Sequence, residues 1–561
     1  MNGDAEVQRA EAVLGPERVL IDPLGIALSC VNAAGESVQY GSNTAGQLTS
    51  ASFSDGTRSD YTYDAEGHLK TATNAAGMVQ FTYEPTTRLL SRVDYPNGKW
   101  LSFGYDAGGR RAQMKDQDDF TTKYTYDAVG RLETLKDGLD NVIVRYTYDH
   151  AGRLFQKTNA NGTYTTYGYC SCGKLADVNN FAPGGALNSQ FHYTYDSVGA
   201  MRTQTTLDGT WTYTHDANGQ LTHAVFASNN AALVPNQDLI YNYDAMGNRT
   251  STVINGVSTA YVPNNMNQYA SVGGTNCNYD LKGNLLSDGI NSYSYNALNR
   301  LVVTSGPSGA TSYTYNALGQ RVSSASGGQT TQYLIDPTGL GDVVGTFDGN
   351  GNLIAHYNYG RGLVSRVAGA SSVYYDFDLL GSTTGLSGST GSYVNKYRYD
   401  PFGNSLASTG PIANPFQFVG QLGVEYQGNG IVFMRARFYA AVQGRFTSTD
   451  PLSIGAGDTN LFRYVGNNPV AATDPLGLCD ISLGLDLGGV PELVTGAGAL
   501  LVVANASNPV GWVIGGVGLV WWIGGLFNLP HEIQSIMTEN GWIDDWSKLH
   551  DPLRNFPQEY K

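Results

Sequence analysis

The sequence predicts a mainly β protein built from stacked β-hairpins, and three observations lead to this prediction. A motif of Tyr-x-Tyr-Asp or Tyr-x-Tyr-Asn, followed by Gly, recurs between residues 61 and 320 at a spacing of about 20 residues. Glycine accounts for 70 of the 561 residues, and no helical apolar stripe precedes the C-terminal region. Repetition at a fixed period is typical of one supersecondary unit that stacks many times.

Each copy of the motif reads as a hairpin, as in Tyr124-Thr-Tyr-Asp127 followed by Gly130-Arg131-Leu132. The two tyrosines lie on one face of a strand because side chains alternate across a strand. Asp favours a turn by bonding its own backbone, and Gly accepts a positive φ. We therefore expect a curling antiparallel sheet with a ladder of tyrosines along it. Further copies begin at Tyr61, Tyr146, Tyr193, Tyr213, Tyr241, Tyr293 and Tyr313.

The composition excludes several classes of protein. The net charge is −15 and no Lys/Arg-rich run occurs, so we expect no nucleic-acid partner for the main body. Residues 1–20 are charged and lack an apolar core, which predicts no signal peptide. Five cysteines are too few for a disulfide framework. Cys170 and Cys172 are expected to be ordinary sheet residues, with a metal-binding or redox pair as the alternative, and we predict no cofactor and no metal.

A second, ordered set of motifs follows the repeats and closes near residue 478. With this set, the chain resembles the RHS family, whose YD repeats and repeat-associated core also occur in polymorphic bacterial toxins, the C component of insecticidal toxin complexes and animal teneurins. The resemblance covers about residues 20–478. The core motifs are Tyr374–Ser382, Tyr397–Gly403, Asn414–Gln421, Arg435–Tyr439, Gly444–Phe446, Asp450–Pro451, Asn460–Pro469 and Asp474–Leu478.

The resemblance implies a β-sheet strip that spirals into a hollow shell around a C-terminal cargo. It divides the chain into a lead-in at 1–20, a repeat shell at 21–373, a core at 374–478 and a small helical effector domain at 479–561. Implied partners are the chain's own cargo, an immunity protein, and a secretion system or a second chain like the B component. The implied location is secreted or at the cell surface, reached by a specialised route.

Residues 469–478 fit the family's Pro-x4-Asp-Pro-x-Gly-Leu cleavage signature. The resemblance implies that Asp450 and Asp474 form an aspartic-type pair, that Arg445 is the nearby cation, and that Leu478–Cys479 is the scissile bond. Two close carboxylates that share one proton can hydrolyse an amide, one as base and the other as acid. A bond held beside its catalyst is cut within the molecule, which needs only one turnover.

A plain turn is the alternative interpretation of the cleavage motif. Asp22–Gly25 and Asp336–Leu340 contain the same Asp-Pro-x-Gly pattern outside the core segment. The chain also departs from the family at Ser453, which stands where the family has Gly after Asp-Pro-x, and this change is expected to loosen the local turn. Arg445 has the alternative role of a structural ion-pair residue.

The composition changes at Cys479, where the tyrosine pattern ends. Residues 490–527 contain one charged residue, Glu492, and residues 510–527 form an uncharged run of 18, long enough for a membrane span. This predicts a membrane-inserting cargo, with a buried apolar helix pair as the alternative. We find no metal cluster or phosphate loop there. The two histidines, His531 and His550, and the acids Asp544, Asp545 and Asp551 favour a solvated acidic helix over a catalytic site.

Three functions follow from the sequence. The first is a toxin shell that cuts itself after Leu478 and releases an effector against competing bacteria or a host. The second is a non-enzymatic surface protein whose repeats bind glycans, and it predicts an intact chain. The third is a pore former whose active part is residues 479–561. The first and third are compatible.

Overall fold

The computed structural model describes residues 34–453 and 458–478, together with the flanking segments 10–14, 17–21, 27–32, 481–482, 494–496 and 499–501. Their regular secondary structure is almost all β-strand, joined by short turns, as predicted. Cys479, the uncharged run 510–527 and the histidines and acids of the tail lie outside the described residues. Within the described part of the chain, no helix is long and apolar enough to span a membrane.

The strands form antiparallel meanders in which each strand pairs with the next one along the chain. The first sheet contains 26 described strands. They are β1 Ala10–Leu14, β2 Glu17–Ile21, β3 Ala27–Val31, β4 Ser37–Ser42, β5 Leu48–Phe53, β6 Arg58–Tyr63, β7 Leu69–Asn74, β8 Gly77–Tyr83, β9 Leu90–Asp94, β10 Trp100–Tyr105, β11 Arg111–Asp116, β12 Thr121–Tyr126, β13 Leu132–Lys136, β14 Val142–Tyr148, β15 Leu154–Asn159, β16 Tyr164–Tyr169, β17 Leu175–Phe181, β18 Leu187–Tyr195, β19 Met201–Thr206, β20 Gly209–His215, β21 Leu221–Ser228, β22 Gln237–Tyr243, β23 Arg249–Ile254, β24 Val257–Pro263, β25 Tyr269–Val272 and β26 Thr275–Asn276.

The second sheet continues the same pattern with 14 described strands. They are β27 Asn278–Tyr279, β28 Leu285–Ser287, β29 Ser292–Tyr295, β30 Leu301–Gly306, β31 Gly309–Tyr315, β32 Arg321–Ser326, β33 Gln329–Ile335, β34 Val343–Asp348, β35 Leu353–Gly360, β36 Gly362–Ala368, β37 Ser371–Phe377, β38 Thr383–Ser387, β39 Tyr393–Tyr399 and β40 Ser405–Thr409.

The β12–β13 hairpin shows the role of each residue of the repeat motif. Asp127 Oδ1 accepts the backbone N–H of Arg131 at 2.9 Å, and Gly130 has a φ of 92°. Arg131 Nε donates to Asp127 Oδ2 at 2.7 Å, and its guanidinium carbon lies 4.3 Å from the ring centroid of Tyr148. Tyr148 in turn donates its hydroxyl to the Leu132 carbonyl at 2.6 Å. This motif therefore builds its own turn and contacts the next hairpin through arginine and backbone, whereas rings meet in other repeats, as in the stacking of His68 on Tyr83 at 4.8 Å between centroids.

This hydroxyl-to-carbonyl bond recurs along both sheets, which accounts for the second tyrosine of the motif. The first tyrosine points inward; Tyr146, for example, is 2% exposed. Further pairs are Tyr63 with Leu48, Tyr83 with Leu69, Tyr105 with Leu90, Tyr169 with Leu154, Tyr243 with Leu221 and Tyr315 with Leu301.

Cys170 and Cys172 form a disulfide, so the expectation of ordinary sheet residues and the metal-binding alternative are wrong, whereas the alternative of a redox pair stays open. Cys170 stands where other repeats have the turn Asp. Its backbone N–H still donates to Lys174 O at 2.9 Å, and Gly173 N–H to Cys170 O at 3.0 Å. The disulfide closes the turn that the Asp side chain closes elsewhere.

The second sheet runs beside the first in the same chain direction. Tyr61 donates its hydroxyl to Ala317 O at 3.0 Å across 256 residues, whereas Asn188 Nδ2 donates to Gly391 O at 2.8 Å across 203. The sequence separation between contacting residues falls from 256 to 203 because the second sheet uses fewer residues than the first to run the same distance. The two sheets share one apolar core, whose fully buried members include Leu69 from the first sheet and Phe347 from the second.

The core segment forms a small, separate sheet that follows the two large sheets in the chain. It packs around Tyr439 and Tyr464, both 0% exposed, and docks on the first sheet, where Asn460 Nδ2 donates to Asn248 Oδ1 at 2.9 Å. Its strands are β41 Glu425–Tyr426, β42 Ile431–Met434, β43 Arg437–Ala440 and β44 Arg445–Phe446, with short 3-10 turns at Gly420–Leu422 and Val465–Asn467.

The strand β45 (Ala472–Thr473) follows the core and pairs with β46 (Ile481–Ser482). The strands β47 (Val494–Gly496) and β48 (Ala499–Leu501) form a second short hairpin. The described pieces of residues 479–561 are thus strands where the sequence predicts helix. The β-branched residues Val494 and Thr495, beside Gly496, favour extended backbone over helix.

Candidate self-cleavage site

The segment before the predicted scissile bond is held by the turn between β42 and β43. Arg435, at a φ of 53°, donates from Nη1 to the Pro475 carbonyl at 2.8 Å. The Ala436 backbone N–H donates to Leu476 O at 3.0 Å, and Arg437 Nε donates to the Gly477 carbonyl at 2.5 Å. Three consecutive carbonyls are therefore fixed by three consecutive residues of one turn.

The backbone at residue 477 lies so close to the turn between β42 and β43 that only glycine fits there. A Cβ there would lie 2.5 Å from the Met434 carbonyl oxygen and 2.9 Å from the Arg437 nitrogen, and the φ is +67°. The glycine of the cleavage signature thus serves both the turn and the contact between the two backbones.

The two predicted acids meet at one nitrogen atom. Arg437 Nη2 lies 2.7 Å from Asp450 Oδ2 and 3.3 Å from Asp474 Oδ2. The second oxygen of each carboxylate is also bonded: Asp450 Oδ1 accepts Leu452 N–H at 2.8 Å, and Asp474 Oδ1 accepts Leu478 N–H at 3.0 Å. Residues that are 24 positions apart in sequence are thereby brought together, and Asp474 is bonded to the residue that precedes the predicted cut.

The site is shielded from water. The side chains of Arg437, Asp450 and Asp474 are 3%, 7% and 1% exposed. Burial raises the pKa of Asp450 above its usual range, and the nearby Arg437 charge opposes this rise. Arg437 is itself fixed, since its guanidinium carbon lies 3.6 Å from the Phe446 ring centroid and Nη1 donates to Leu461 O at 3.0 Å.

The structure places Arg445, the predicted cation, away from the acid pair. Arg445 Nη2 donates to Asn267 O at 2.6 Å, and its guanidinium carbon lies 4.1 Å from the ring centroid of Tyr269. It fastens the core segment to the first sheet through a carbonyl and aromatic rings, and it forms no ion pair among the described residues, so the ion-pair alternative does not describe its contacts. Arg437 takes the place beside the acids. The sequence contained a signal for it, because Arg437 lies in the core motif Arg435–Tyr439.

Ser453 adopts a φ of 53°, the left-handed region that favours glycine. Its N–H still donates to Asp450 O at 2.9 Å, so the turn after Asp450 is kept at a cost in backbone strain. Leu478, the residue before the predicted cut, lies in the bend between β45 and β46, while Cys479 is outside the described residues.

The chain is a strip of Tyr-Asp hairpins followed by a separate core sheet, which binds the carbonyls of residues 475–477. This arrangement is typical of YD-repeat shells. A family model described as Teneurin YD-shell matches residues 25–172, 71–210 and 201–470. The chain belongs to this RHS/YD-repeat family.

Solved structures share the fold. A crystal structure of TcdB2-TccC3 superposes with a TM-score of 0.70 at 18% identity, covering 82% of this chain and 28% of that chain. A Tc holotoxin pore from Photorhabdus luminescens gives a TM-score of 0.57 at 16% identity, covering 84% of this chain and 31% of that one.

Curated relatives include toxins and nucleases. The tRNA nuclease WapA of Bacillus subtilis is 29% identical over 38% of this chain and 10% of its own length. The toxin subunit YenC1 of Yersinia entomophaga is 33% identical over 18% of this chain and 11% of its own length. The toxin protein Tse5 of Pseudomonas aeruginosa is 33% identical over 19% and 8%. The chain thus spans about a tenth of the length of these relatives.

Proposed function

We propose that this chain is a toxin shell that cuts itself after Leu478 and so releases its C-terminal segment. The observation that carries the proposal is the meeting of Asp450 and Asp474 at a single Arg437 nitrogen, beside a segment whose carbonyls are fixed one by one. A turn with only a structural role needs neither a second buried carboxylate nor hydrogen bonds to three consecutive carbonyls. The Asp127 turn, for example, pairs its outer oxygen with the part-exposed Arg131.

The electrostatics suggest separate roles for the two acids. Asp450, whose pKa is raised by burial, is assigned the role of the acid that protonates the carbonyl oxygen of Leu478. Asp474, which accepts the Leu478 N–H and lies beside Arg437, is assigned the role of the base that takes a proton from water. Water adds to the carbonyl carbon while Asp474 takes one of its protons. As the C–N bond breaks, Asp474 passes that proton to the nitrogen of Cys479, and Asp450 takes back the proton on the former carbonyl oxygen, which leaves Leu478 with a carboxyl group.

The released segment is proposed to be an effector, in line with the toxins among the relatives. Only the two-residue pairing of β45 with β46 links the described strands on either side of the cut. Membrane insertion by residues 510–527 stays a prediction from sequence, as do an immunity protein, a delivery partner and a secreted location.

Intact mass of the full chain tests the proposal. The wild type should give residues 1–478 and 479–561, whereas Asp450→Asn and Asp474→Asn should each remain one piece. Asp336→Asn is the matched control, because Asp336 is also a buried Asp-Pro acid and its ion pair is with Arg111. The control should be cut like the wild type. A whole wild-type chain would favour the glycan-binding alternative, and cutting in both acid variants would exclude the acid pair.

A further inference from the structure

A second cluster of ionisable side chains joins the two sheets far from the acid pair. Asp116 and Asp118 belong to the turn after β11, and His356 lies on β35. His356 Nε2 is 2.7 Å from Asp116 Oδ2 and 3.8 Å from Asp118 Oδ2. One ligand atom from each residue lies within 4.8 Å of the other two.

His356 is buried without a hydrogen bond at the nitrogen that faces the carboxylates. Its side chain is 5% exposed, and Nε2 has no hydrogen-bond partner. The 2.7 Å approach to Asp116 therefore lacks the angle that a hydrogen bond needs. A buried ring nitrogen without a hydrogen bond is uncommon in folded proteins, so its position beside two carboxylates calls for an explanation.

The two carboxylates and the imidazole are held in place by other contacts. Asp116 Oδ1 accepts the backbone N–H groups of Asp118 at 2.9 Å and Phe120 at 3.0 Å, which leaves Oδ2 turned toward His356. The Phe120 ring stacks on the imidazole at 4.1 Å between centroids and 9° between planes. Such outer contacts orient the ligands of metal sites in proteins.

We propose that Asp116, Asp118 and His356 bind a divalent transition-metal ion that links the first sheet to the second. One imidazole nitrogen and two carboxylate oxygens suit Zn²⁺ or Co²⁺, with water in the open position. Ca²⁺ and Mg²⁺ prefer oxygen ligands throughout and fit this set less well. The 40% exposure of the Asp118 side chain gives the ion a route of entry.

Another cluster among the described residues shows that proximity of ligand atoms alone does not define a metal site. Asp64, Glu66 and His68 also lie close together, but all three belong to one hairpin turn. His68 Nδ1 already shares a hydrogen bond with Asp64 Oδ2 at 3.0 Å. We assign no metal to this cluster, and it provides the control for the experiment.

The experiment titrates the metal-free full chain with Zn²⁺ by calorimetry and with Co²⁺ by visible absorption. We expect one high-affinity site with no thiolate-to-cobalt band. His356→Gln and Asp118→Ala should weaken binding by more than the about 10–100-fold that loss of an outer contact costs. His68→Gln should leave it unchanged.

Because Asp118 is partly exposed, its variant tests the site without disturbing the core. The proposal is overturned if the wild type binds no Zn²⁺, if binding survives in both His356→Gln and Asp118→Ala, or if a thiolate band shows that cysteines hold the ion.

Discussion

Replacing Arg437 with Met should destabilise the folded chain far more than replacing an exposed arginine of the same kind. The change leaves the Asp450 and Asp474 carboxylates, 7% and 1% exposed, without their shared cation. Removing one partner of a buried ion pair costs about 3–5 kcal/mol. The Gly477 and Leu461 carbonyls also lose their donors, at about 1 kcal/mol each. We expect a total loss of about 5–7 kcal/mol.

Urea unfolding followed by tryptophan fluorescence measures this loss. Arg131→Met is the control, because the Arg131 and Asp127 side chains are 35% and 22% exposed and such pairs contribute about 1 kcal/mol or less. A triple variant that adds Asp450→Asn and Asp474→Asn to Arg437→Met should regain a few kcal/mol, since no buried charge remains. The intact mass of each chain is measured before unfolding, because the wild type and Arg131→Met are expected to be cut whereas the triple variant, which lacks both acids, is not. The reasoning fails if Arg437→Met costs no more than the control, or if the triple variant regains nothing.

Three further predictions concern the backbone and the pH. Gly477→Ala should slow cleavage by about 100-fold because its Cβ meets the Met434 carbonyl, whereas Gly339→Ala, in the other Asp-Pro-x-Gly-Leu motif and with open space around it, should leave the mass pattern unchanged. Ser453→Gly should raise the unfolding free energy by about 1 kcal/mol by relieving the left-handed φ, and an unchanged urea midpoint would contradict this. Burial raises the pKa of Asp378 to about 7, so the folded state holds a proton that the unfolded chain releases near pH 4, and stability falls as pH rises across that window. The unfolding free energy of Asp378→Asn, relative to that of the wild type, should therefore rise by roughly 2–3 kcal/mol between pH 5 and pH 8. A difference between the two urea midpoints that does not change with pH would refute this.

The repeat region could be predicted from sequence because its contacts are local. Asp127, Gly130 and Arg131 build one turn, and Tyr148 reaches back to the preceding hairpin. All of these partners lie within one or two repeats. The stacking of arginine on tyrosine was not predicted, although the same residues were recognised, since the motif does not specify which groups touch.

Contacts between the two passages of the sheet could not be predicted. Lys157 Nζ lies 3.5 Å from Asp376, and both side chains are buried. The sequence offset between such partners depends on how strongly the strip curls, which is the sum of many small twists. His356 and Asp116 were missed for the same reason.

The family resemblance named Asp450 and Asp474 as a pair, and the structure brings both to one guanidinium, while their catalytic role stays a prediction. The resemblance named Arg445, and not Arg437, as the nearby cation. Arg437 lies on β43 and Arg445 on the neighbouring β44, and both are buried beside aromatic rings. Only the register of these strands decides which guanidinium reaches Asp450 and Asp474. The pairing of Cys170 with Cys172 was only an alternative in the sequence analysis, because a short cysteine spacing does not show that a turn brings the two together.

Self-cleavage is tested most directly by making the wild-type chain in a reconstituted translation system that contains no protease and measuring its intact mass after folding. We predict two products, residues 1–478 and residues 479–561, with the cut after Leu478 and not at the Asp474–Pro475 bond. The double variant Asp450→Asn/Asp474→Asn, made alongside, should remain a single chain of 561 residues. A wild-type chain that also stays whole would contradict self-cleavage and reduce the clamped acid pair to a structural turn.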